Sequence, residues 1–264
     1  MTSIKEIINC LEQVAPLCWQ EDYDNAGLVV GNKDLECTGV MVCLDIFSTT
    51  LHQAVNKNCN LVISHHPLIF KGIKKIVHDS ELETVLALAL KNNIAVYCTH
   101  TNMDAAFTGV NYMLAKKLGL THFEPIDNSL HEDNPQYFGE GAMGQLKEKI
   151  LAKDYLIKVK QTLGLKAIRY IGDENKIIQK IGLCGGSGSF LVGKAIEKGC
   201  QMFLTGDIKY HDFLSTEGKI ILADIGHFES EQFIKERFIE IISEKFRNFV
   251  PLYITEDINR VKFL

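Results

Sequence analysis

The sequence predicts an α/β fold, a three-layer α/β/α architecture built from two related strand-helix-strand halves. Short apolar runs rich in Val, Ile and Leu alternate with stretches of helical periodicity, a pattern typical of parallel strands covered by helices. The chain also repeats itself, because a shift of 141 residues gives five identities in 24 positions. These identities pair Cys43 with Cys184, Ser48 with Ser189, Ala54 with Ala195, Lys57 with Lys198 and Cys59 with Cys200.

The elements follow from local periodicity. A first helix is predicted from Ile4 to Val14, where the apolar residues share one helical face. Further helices are expected near 48–58, 80–92, 145–163, 190–199 and 227–246. Strands are expected near 39–45, 60–64, 94–98, 180–184, 201–205 and 219–223. The strand-helix-strand unit therefore occurs twice, which indicates an internal duplication; chance agreement between two amphipathic units is the alternative.

A break near 125–136 is predicted where turn-forming residues interrupt the periodicity. These residues are Pro125, Asp127, Asn128, Asp133, Asn134 and Pro135. We therefore expect a first α/β half over 1–125 and a second over 126–264.

The composition indicates a globular protein and argues against some classes of partner. With 264 residues, 46% of them hydrophobic, the chain can bury a sizeable core. Its net charge of -5 argues against a broad nucleic-acid surface, although local basic patches are compatible with it. The first residues lack a signal-peptide core, and no apolar run reaches the roughly 18 residues of a membrane helix. We expect a cytoplasmic protein without membrane contact and do not expect a nucleic-acid partner.

Three clusters of metal-type side chains follow predicted strands. They are His65 with His66, His100 with Asp104, and His227 with Glu231. Histidine and carboxylate groups hold divalent metals where chemistry occurs, whereas structural zinc sites use paired cysteines. The eight cysteines are spread singly without a Cys-x-x-Cys pair, as expected for reduced core residues. Because ligands bind at the carboxyl ends of parallel strands, the clusters predict one metal site.

Each cluster also has a simpler interpretation. Adjacent histidines point to opposite sides of a strand, which suits two neighbouring metals, but His65 and His66 can also be ordinary loop residues. Asp104 can be a helix N-cap instead of a ligand. His227 and Glu231 are four residues apart and face the same way on a helix, where they can simply be solvated.

Two further segments carry possible chemistry. His211, in a polar stretch after a predicted strand, is a second-tier candidate for lining the cleft. The run Gly185-Gly186-Ser187-Gly188 lies between a strand and a helix, where free backbone N–H groups can hold a phosphate. Tight packing between strand and helix explains the same glycines.

The chain resembles the GTP cyclohydrolase I type 2 homologues, a family with a dinuclear metal site. The resemblance runs nearly end to end. Its motifs are Tyr23-Asp24-Asn25-Ala26-Gly27-Leu28-Val29-Val30-Gly31, Ser64-His65-His66-Pro67-Leu68, Thr101-Asn102-Met103-Asp104-Ala105-Ala106, Gly109-Val110-Asn111, Thr205-Gly206-Asp207 and Gly226-His227-Phe228-Glu229-Ser230-Glu231. Longer relatives carry an inserted domain, so this chain resembles the short form.

The resemblance implies a metal site of defined composition. His65 and His227 would hold one divalent cation, His66 and Asp104 the other, and Glu231 would bridge both, with His100 close by. It also implies a homohexamer. His and carboxylate ligands suit zinc, iron, manganese, cobalt and nickel alike, so these ligands do not identify the metal.

The function expected from these features is metal-assisted hydrolysis of a nucleotide-like or phosphorylated small molecule, with GTP suggested by the family name. Two divalent cations would generate hydroxide, His100 or His211 would carry a proton, and the loop at 185–188 would receive a phosphate. The alternative is a protein that carries or delivers metal, or acts as a regulatory scaffold, and catalyses nothing.

Overall fold

A computed structural model describes residues 2–131, 134, 136–246, 251–256 and 258–264. Two residues of the predicted break, Asp133 and Pro135, lie outside them. The strands in this part of the chain are β1 (Gly27–Val30), β2 (Val40–Cys43), β3 (Leu61–Ser64), β4 (Ala95–Cys98), β5 (Leu120–Glu124), β6 (Ala142–Leu151), β7 (Arg169–Ile171), β8 (Ile177–Leu183), β9 (Met202–Thr205), β10 (Ile221–Asp224) and β11 (Leu252–Ile254). The helices are α1 (Ile4–Val14), α2 (Ser48–Asn56), α3 (Glu81–Lys91), α4 (Thr101–Asp104), α5 (Val110–Lys117), α6 (Ala152–Leu163), α7 (Val192–Glu197), α8 (Tyr210–Ser215), α9 (His227–Glu231) and α10 (Ile234–Lys245).

The chain divides into two compact units, and each takes a segment from the far half of the sequence. Unit 1 comprises Met1–Met103 and Ile234–Ile258, and unit 2 comprises Asp104–Phe233 and Asn259–Leu264. This division differs from the predicted halves of 1–125 and 126–264. The reason is strand pairing: β5 and β6 join the sheet of unit 2, whereas β11 joins the sheet of unit 1.

Unit 1 is a five-stranded sheet in the order β1-β4-β3-β2-β11. Only β1 runs antiparallel to its neighbour. Met41, Val62 and Val96 face a core completed by α2 and α3, while the alternating residues on the other face are equally buried. Helices α1 and α10 pack together, and α10 also contacts β2. Both faces of this sheet are therefore covered, as in a three-layer fold.

Unit 2 is a six-stranded mixed sheet in the order β5-β6-β8-β9-β10-β7. Its centre, β8-β9-β10, is parallel. Phe203 and Leu222 pack against Ala195 of α7 on one face. Helix α5 contacts β6 and β8, helix α6 contacts β6, and the alternating residues Ile181 and Met202 are fully buried.

The predicted repeat is confirmed in the backbone. Val40 pairs with Leu61 in β2 and β3, and Ile181 pairs with Met202 in β8 and β9, so both partners shift by 141 residues. The connection after the helix also repeats, since the amide of Cys59 donates to Ala54 at 2.8 Å and that of Cys200 donates to Ala195 at 2.9 Å. The α/β prediction with two related strand-helix-strand halves is therefore confirmed.

Two predicted helices are wrong in extent. The helix expected at 145–163 is the strand β6 followed by α6. Charged residues with Leu146 and Ile150 four apart mimic a helix there, but pairing of β6 with both β5 and β8 overrides that local preference. The helix expected at 227–246 is divided into α9 and α10. Among the helices described, none combines the length and apolarity needed to cross a membrane.

Candidate functional site

In unit 1, three histidines meet at the carboxyl edge of the sheet. Ser64 at the end of β3 pairs with Cys98 at the end of β4, so the residues that follow emerge side by side. His65, His66 and His100 each offer a ring nitrogen within 4.8 Å of the others. Their ring centroids are separated by 5.2 to 5.7 Å. The prediction that these strand ends converge is therefore confirmed for unit 1.

Each of these histidines is anchored through Nδ1. The fully buried His65 contacts the carbonyl oxygen of Thr99 at 2.9 Å. His66 contacts Asp45 at 2.7 Å, and His100 contacts Asp24 at 2.9 Å. A carbonyl oxygen only accepts, so Nδ1 of His65 carries a proton, which leaves Nε2 as the nitrogen that can bind a metal. This is the second-sphere arrangement found behind histidines that bind metals.

Asp24 is a buried carboxylate that holds the residues after β4 in place. One oxygen contacts His100, and the other accepts hydrogen bonds from the amide and hydroxyl of Thr101 at 3.1 and 2.5 Å. Burial raises the pKa of Asp24, but the hydrogen bond and charge of His100, with the bonds from Thr101 and Asn25, outweigh it and hold the pKa at about 2. Asp24 is therefore ionised near neutral pH.

In unit 2, the corresponding edge carries a histidine and two carboxylates. His227 Nε2 lies 3.2 Å from an oxygen of the buried Glu231, and an oxygen of Asp104 lies within 4.8 Å of one on Glu231. Nδ1 of His227 contacts Asp207 at 2.7 Å. Asp207 follows β9 with a φ of 55°, a conformation that Asp tolerates better than most residues.

The glycine run in unit 2 holds the backbone together instead of presenting free amides. The amides of Gly185, Gly186 and Gly188 donate to Asn111 Oδ1 at 3.0 Å, Ser230 Oγ at 3.0 Å and Thr205 Oγ1 at 2.8 Å. These three N–H groups already have acceptors within the protein, so they do not provide the phosphate site predicted for Gly185, Gly186, Ser187 and Gly188. Tight packing, the simpler interpretation, explains the glycines.

Gly186 makes room for the carboxylate of Glu231. A Cβ at this position would lie 2.3 Å from Glu231 Oε1 and 3.4 Å from His227 Cε1. The backbone also has a φ of 59° here, which favours glycine. Nearby, burial and then the charges of Asp104 and Glu231 raise the pKa of the Cys184 thiol well above its usual range. In the part of the chain that the structure describes, the clusters that could hold a metal contain only histidine and carboxylate groups.

Comparison with known proteins identifies the family of this chain. Residues 2–259 match the family described as Duf34/NIF3 (NGG1p interacting factor 3). The chain belongs to this family. Two relatives carry the name GTP cyclohydrolase 1 type 2 homolog. The one from Clostridium acetobutylicum is 33% identical over 233 residues, covering 86% of this chain and 85% of the relative. The one from Lactococcus lactis is 35% identical over 255 residues, covering 93% of each.

Solved structures share the Duf34/NIF3 fold. The Staphylococcus aureus hypothetical protein SA1388 superposes with a TM-score of 0.90 at 27% identity, with 99% of both chains covered. A Bacillus cereus protein related to NIF3 also gives a TM-score of 0.90, at 21% identity, and covers all of both chains. The resemblance drawn from the sequence motifs is thus confirmed.

The donor set of this Duf34/NIF3 chain fits a divalent metal. The histidines of unit 1 offer ring nitrogens as donors, and in unit 2 a histidine and two carboxylates offer nitrogen and oxygen donors. Such mixed nitrogen and oxygen donors suit zinc, iron, manganese, cobalt or nickel. The clusters can therefore bind metal.

His211 stands apart from these clusters. It lies on α8, none of whose residues is buried. Its ring contact is with Tyr210, at 5.4 Å between centroids. Among the described hydrogen bonds and ring contacts, none joins His211 to a metal-type residue, so its predicted place in the cleft gains no support.

The sequence interpretation misses the residues that orient the histidines. These are Asp24, Asp45, Asp207 and the carbonyl of Thr99. Asp45 and Asp207 follow β2 and β9, so the strand-end rule that identifies the histidines applies to them as well. Asp24 precedes β1 in a loop, and only its place in a family motif marks it.

Proposed function

We propose that this Duf34/NIF3 protein is a hydrolase that uses two divalent cations and acts on a nucleotide-like or phosphorylated small molecule. The cations would be held by His65, His66, Asp104, His227 and Glu231. One observation carries the proposal: His65, His66, His227 and the neighbouring His100 each have Nδ1 in contact with an oxygen atom. In His65, His66 and His227 that anchoring leaves Nε2 as the ligand atom.

The individual assignments follow the family resemblance. His65 and His227 would hold one cation, and His66 and Asp104 the other. Glu231 would bridge both, since it has two oxygens on a side chain that is 3% exposed. Gly185 and Gly186 support this role, because any side chain there would displace Val110 or the Glu231 carboxylate.

Two bound cations would supply a hydroxide near neutral pH by lowering the pKa of a water. His100 is the proton carrier we assign. Asp24 accepts from its Nδ1 at 2.9 Å and so orients Nε2 to hold or release a proton. Thr101 fixes Asp24 in turn, so the ring is held in one orientation. The name of the relatives, GTP cyclohydrolase 1 type 2 homolog, makes GTP the first substrate to test.

The test compares wild type with Glu231→Gln and a matched control, Glu236→Gln, whose side chain is exposed on α10. Bound metal is counted by mass spectrometry of the purified proteins. Each protein, loaded with zinc, manganese or iron(II), is then incubated with GTP, and nucleotide loss, formate and phosphate are followed by chromatography. We expect turnover in wild type and Glu236→Gln and its loss in Glu231→Gln.

The products separate the alternatives. Formate indicates opening of the guanine ring, while phosphate alone indicates a phosphohydrolase. If wild type binds two cations but turns over no nucleotide or phosphoester, the hydrolase proposal is wrong. A metal carrier then becomes the better interpretation, and rapid transfer of the metal to a chelator would support it.

A further inference from the structure

A positively charged, exposed segment follows the unit 1 histidines directly. We define the basic segment as residues 70–79, Phe70-Lys71-Gly72-Ile73-Lys74-Lys75-Ile76-Val77-His78-Asp79, all of which are exposed. It contains three lysines and one aspartate, in a chain whose net charge is -5. The segment begins only four residues after His66, so this local excess of positive charge lies next to the histidine cluster in the sequence.

Both ends of the basic segment are held by unit 1. Before it, the side-chain amide of Asn25 donates to the carbonyl of Ile69 at 2.6 Å. At its far end, Glu83 on α3 accepts from the amides of Val77 and Asp79 at 2.8 and 3.1 Å. Asn25 adjoins Asp24, the partner of His100, so the anchor at Ile69 ties the start of the segment to the histidine cluster.

Two exposed aromatic rings lie at that start. Phe70 has its ring centroid 6.5 Å from His100 and 6.2 Å from Tyr23. Phe70 remains 49% exposed and Tyr23 61% exposed. Burial of large aromatic side chains is favourable, so two exposed rings beside the histidine cluster are suited to pack against a ligand.

We propose that Tyr23 and Phe70 stack on the heteroaromatic ring of the substrate and that Lys71, Lys74 and Lys75 bind its phosphates. The substrate class is then a nucleotide or a similar phosphorylated heteroaromatic compound. This inference rests on the proposed function, because it names the substrate of the same site. It also supplies the phosphate contacts that the amides of Gly185, Gly186 and Gly188 do not provide.

The lysines are suited to this role. An ammonium group on a flexible stem binds phosphate as a point charge. Lys75 is within 3.6 Å of Asp79, but both side chains are highly exposed, and such surface pairs contribute little. A phosphate can therefore replace Asp79 as the partner of Lys75. Stacking by Tyr23 and Phe70 tolerates any base, since every base has a π-face.

The test measures binding to metal-free protein, so that it does not depend on turnover. The probes for isothermal titration calorimetry are GTP, ATP, guanosine and tripolyphosphate. GTP and ATP are expected to bind with similar affinity and more tightly than guanosine or tripolyphosphate. Tyr23→Ala and Phe70→Ala should each weaken GTP binding roughly tenfold and leave tripolyphosphate binding unchanged. Tyr23→Phe should retain wild-type affinity.

The lysine variants give the complementary result. Lys71→Gln/Lys74→Gln should weaken the binding of GTP and of tripolyphosphate alike and leave the binding of guanosine unchanged. It should also reduce the salt dependence of GTP binding. Lys147→Gln/Lys149→Gln, exposed on β6, is the matched control. Equal binding of tripolyphosphate and GTP, or wild-type affinity in both alanine variants, would overturn the inference, as would failure of GTP and ATP to bind.

The two proposals fail in different ways. We call Tyr23→Ala, Phe70→Ala and Lys71→Gln/Lys74→Gln the segment variants. If they bind nucleotide normally while Glu231→Gln loses turnover, the hydrolase proposal stands and the proposed recognition surface is wrong. If the segment variants lose nucleotide binding but wild type loaded with metal shows no turnover, the protein recognises nucleotides and the reaction is wrong. Metal content, measured for every variant, should stay at the wild-type level in the segment variants.

Discussion

At the scale of single residues, the atom that gives the histidines a common role is Nδ1. In His66, His100 and His227 it contacts a carboxylate, and in His65 a carbonyl. The acceptors come from different segments, yet in all four rings the contact of Nδ1 leaves Nε2 as the nitrogen that can bind a ligand or a proton. The same anchoring in four rings is expected if they belong to one site, in which the proposal assigns metal binding to His65, His66 and His227 and proton transfer to His100.

Replacing Asp207 with asparagine tests this anchoring. Asn tolerates the φ of 55° at this position, and its amide oxygen can still accept from His227, so the change removes the charge without straining the backbone. Second-sphere changes of this kind lower metal affinity by about 10- to 100-fold, and we expect the lower end. Competition with a chromophoric chelator measures the affinity for zinc. Asp34→Asn, at an exposed position, is the control, and equal affinities in the two variants would contradict the prediction.

Gly186→Ala tests the space reserved for Glu231. The added Cβ would lie 2.3 Å from Glu231 Oε1 at a φ of 59°, so both the carboxylate and the backbone must shift. We expect a loss of about 1–3 kcal/mol in the free energy of unfolding and weaker metal binding, measured by urea denaturation and by chelator competition.

Gly193→Ala is the matched control for that change. A Cβ there meets no described atom within 4 Å, and the residue lies inside α7. Alanine should stabilise this helix by about 0.5–1 kcal/mol and leave metal binding unaltered. Normal metal binding in Gly186→Ala would show that the glycine does not serve the ligand.

At the scale of elements, the sequence predicts what local pattern determines and misses what distant pairing determines. The central strands β2, β3, β4, β8, β9 and β10 are all predicted, because each contains an apolar run with both faces buried. Three-residue strands such as β7 and β11 give no periodic signal of that length. The charged stretch of β6 predicts a helix because it contains good helix formers, and only its neighbours in the sheet make it a strand.

The candidate site follows the same rule. Ligand-type residues stand out because they follow predicted strands, so the sequence alone is enough to group His65, His66 and His100. Asp24 cannot be paired with His100 in that way, because 76 residues separate them and no repeating pattern links a loop to a strand end. The phosphate site predicted at the glycine run is not supported for the same reason. The side chains that accept hydrogen bonds from its amides come from other segments of the chain, which the local sequence does not indicate.

Phe238→Ala tests the contribution of α10 to unit 1. Phe238 is 0% exposed, and α10 packs against α1 and β2. Truncating a buried Phe costs about 3–5 kcal/mol, because apolar contact is lost and a cavity remains. Urea denaturation should show that loss, whereas Phe190→Ala, exposed by 64%, should change stability by less than about 0.5 kcal/mol. Similar midpoints for the two variants would mean that α10 is dispensable to the unit.

At the scale of the whole molecule, the duplicated units are completed by exchanged segments. The chain after β4 supplies β5 and β6 to unit 2, and the chain after β10 supplies α10 and β11 to unit 1. The predicted halves miss this exchange, because a repeat in the sequence gives the elements of each copy but not the sheet that a following segment will join. A homohexamer, implied by the resemblance, stays a prediction.

Thiol labelling tests the packing of both units in one experiment. Seven of the eight free cysteines are buried, and Cys18 is exposed. Burial raises the pKa of Cys37 to about 12 and those of Cys59 and Cys200 to about 11, and only a thiolate reacts. Ellman's reagent should therefore titrate one thiol rapidly in native protein at neutral pH and eight in denaturant.

Cys18→Ser is the control that assigns the rapid thiol, since it should remove the fast phase and leave seven thiols after denaturation. Cys37 and Cys59 belong to unit 1, whereas Cys184 and Cys200 belong to unit 2, so digestion and mass spectrometry of labelled protein reveal which unit opens. Fast labelling of Cys184 in particular would contradict the packing described around Glu231. Protection of all seven under conditions that label Cys18 means that the core of each unit excludes solvent, because a buried thiol is inaccessible to the reagent.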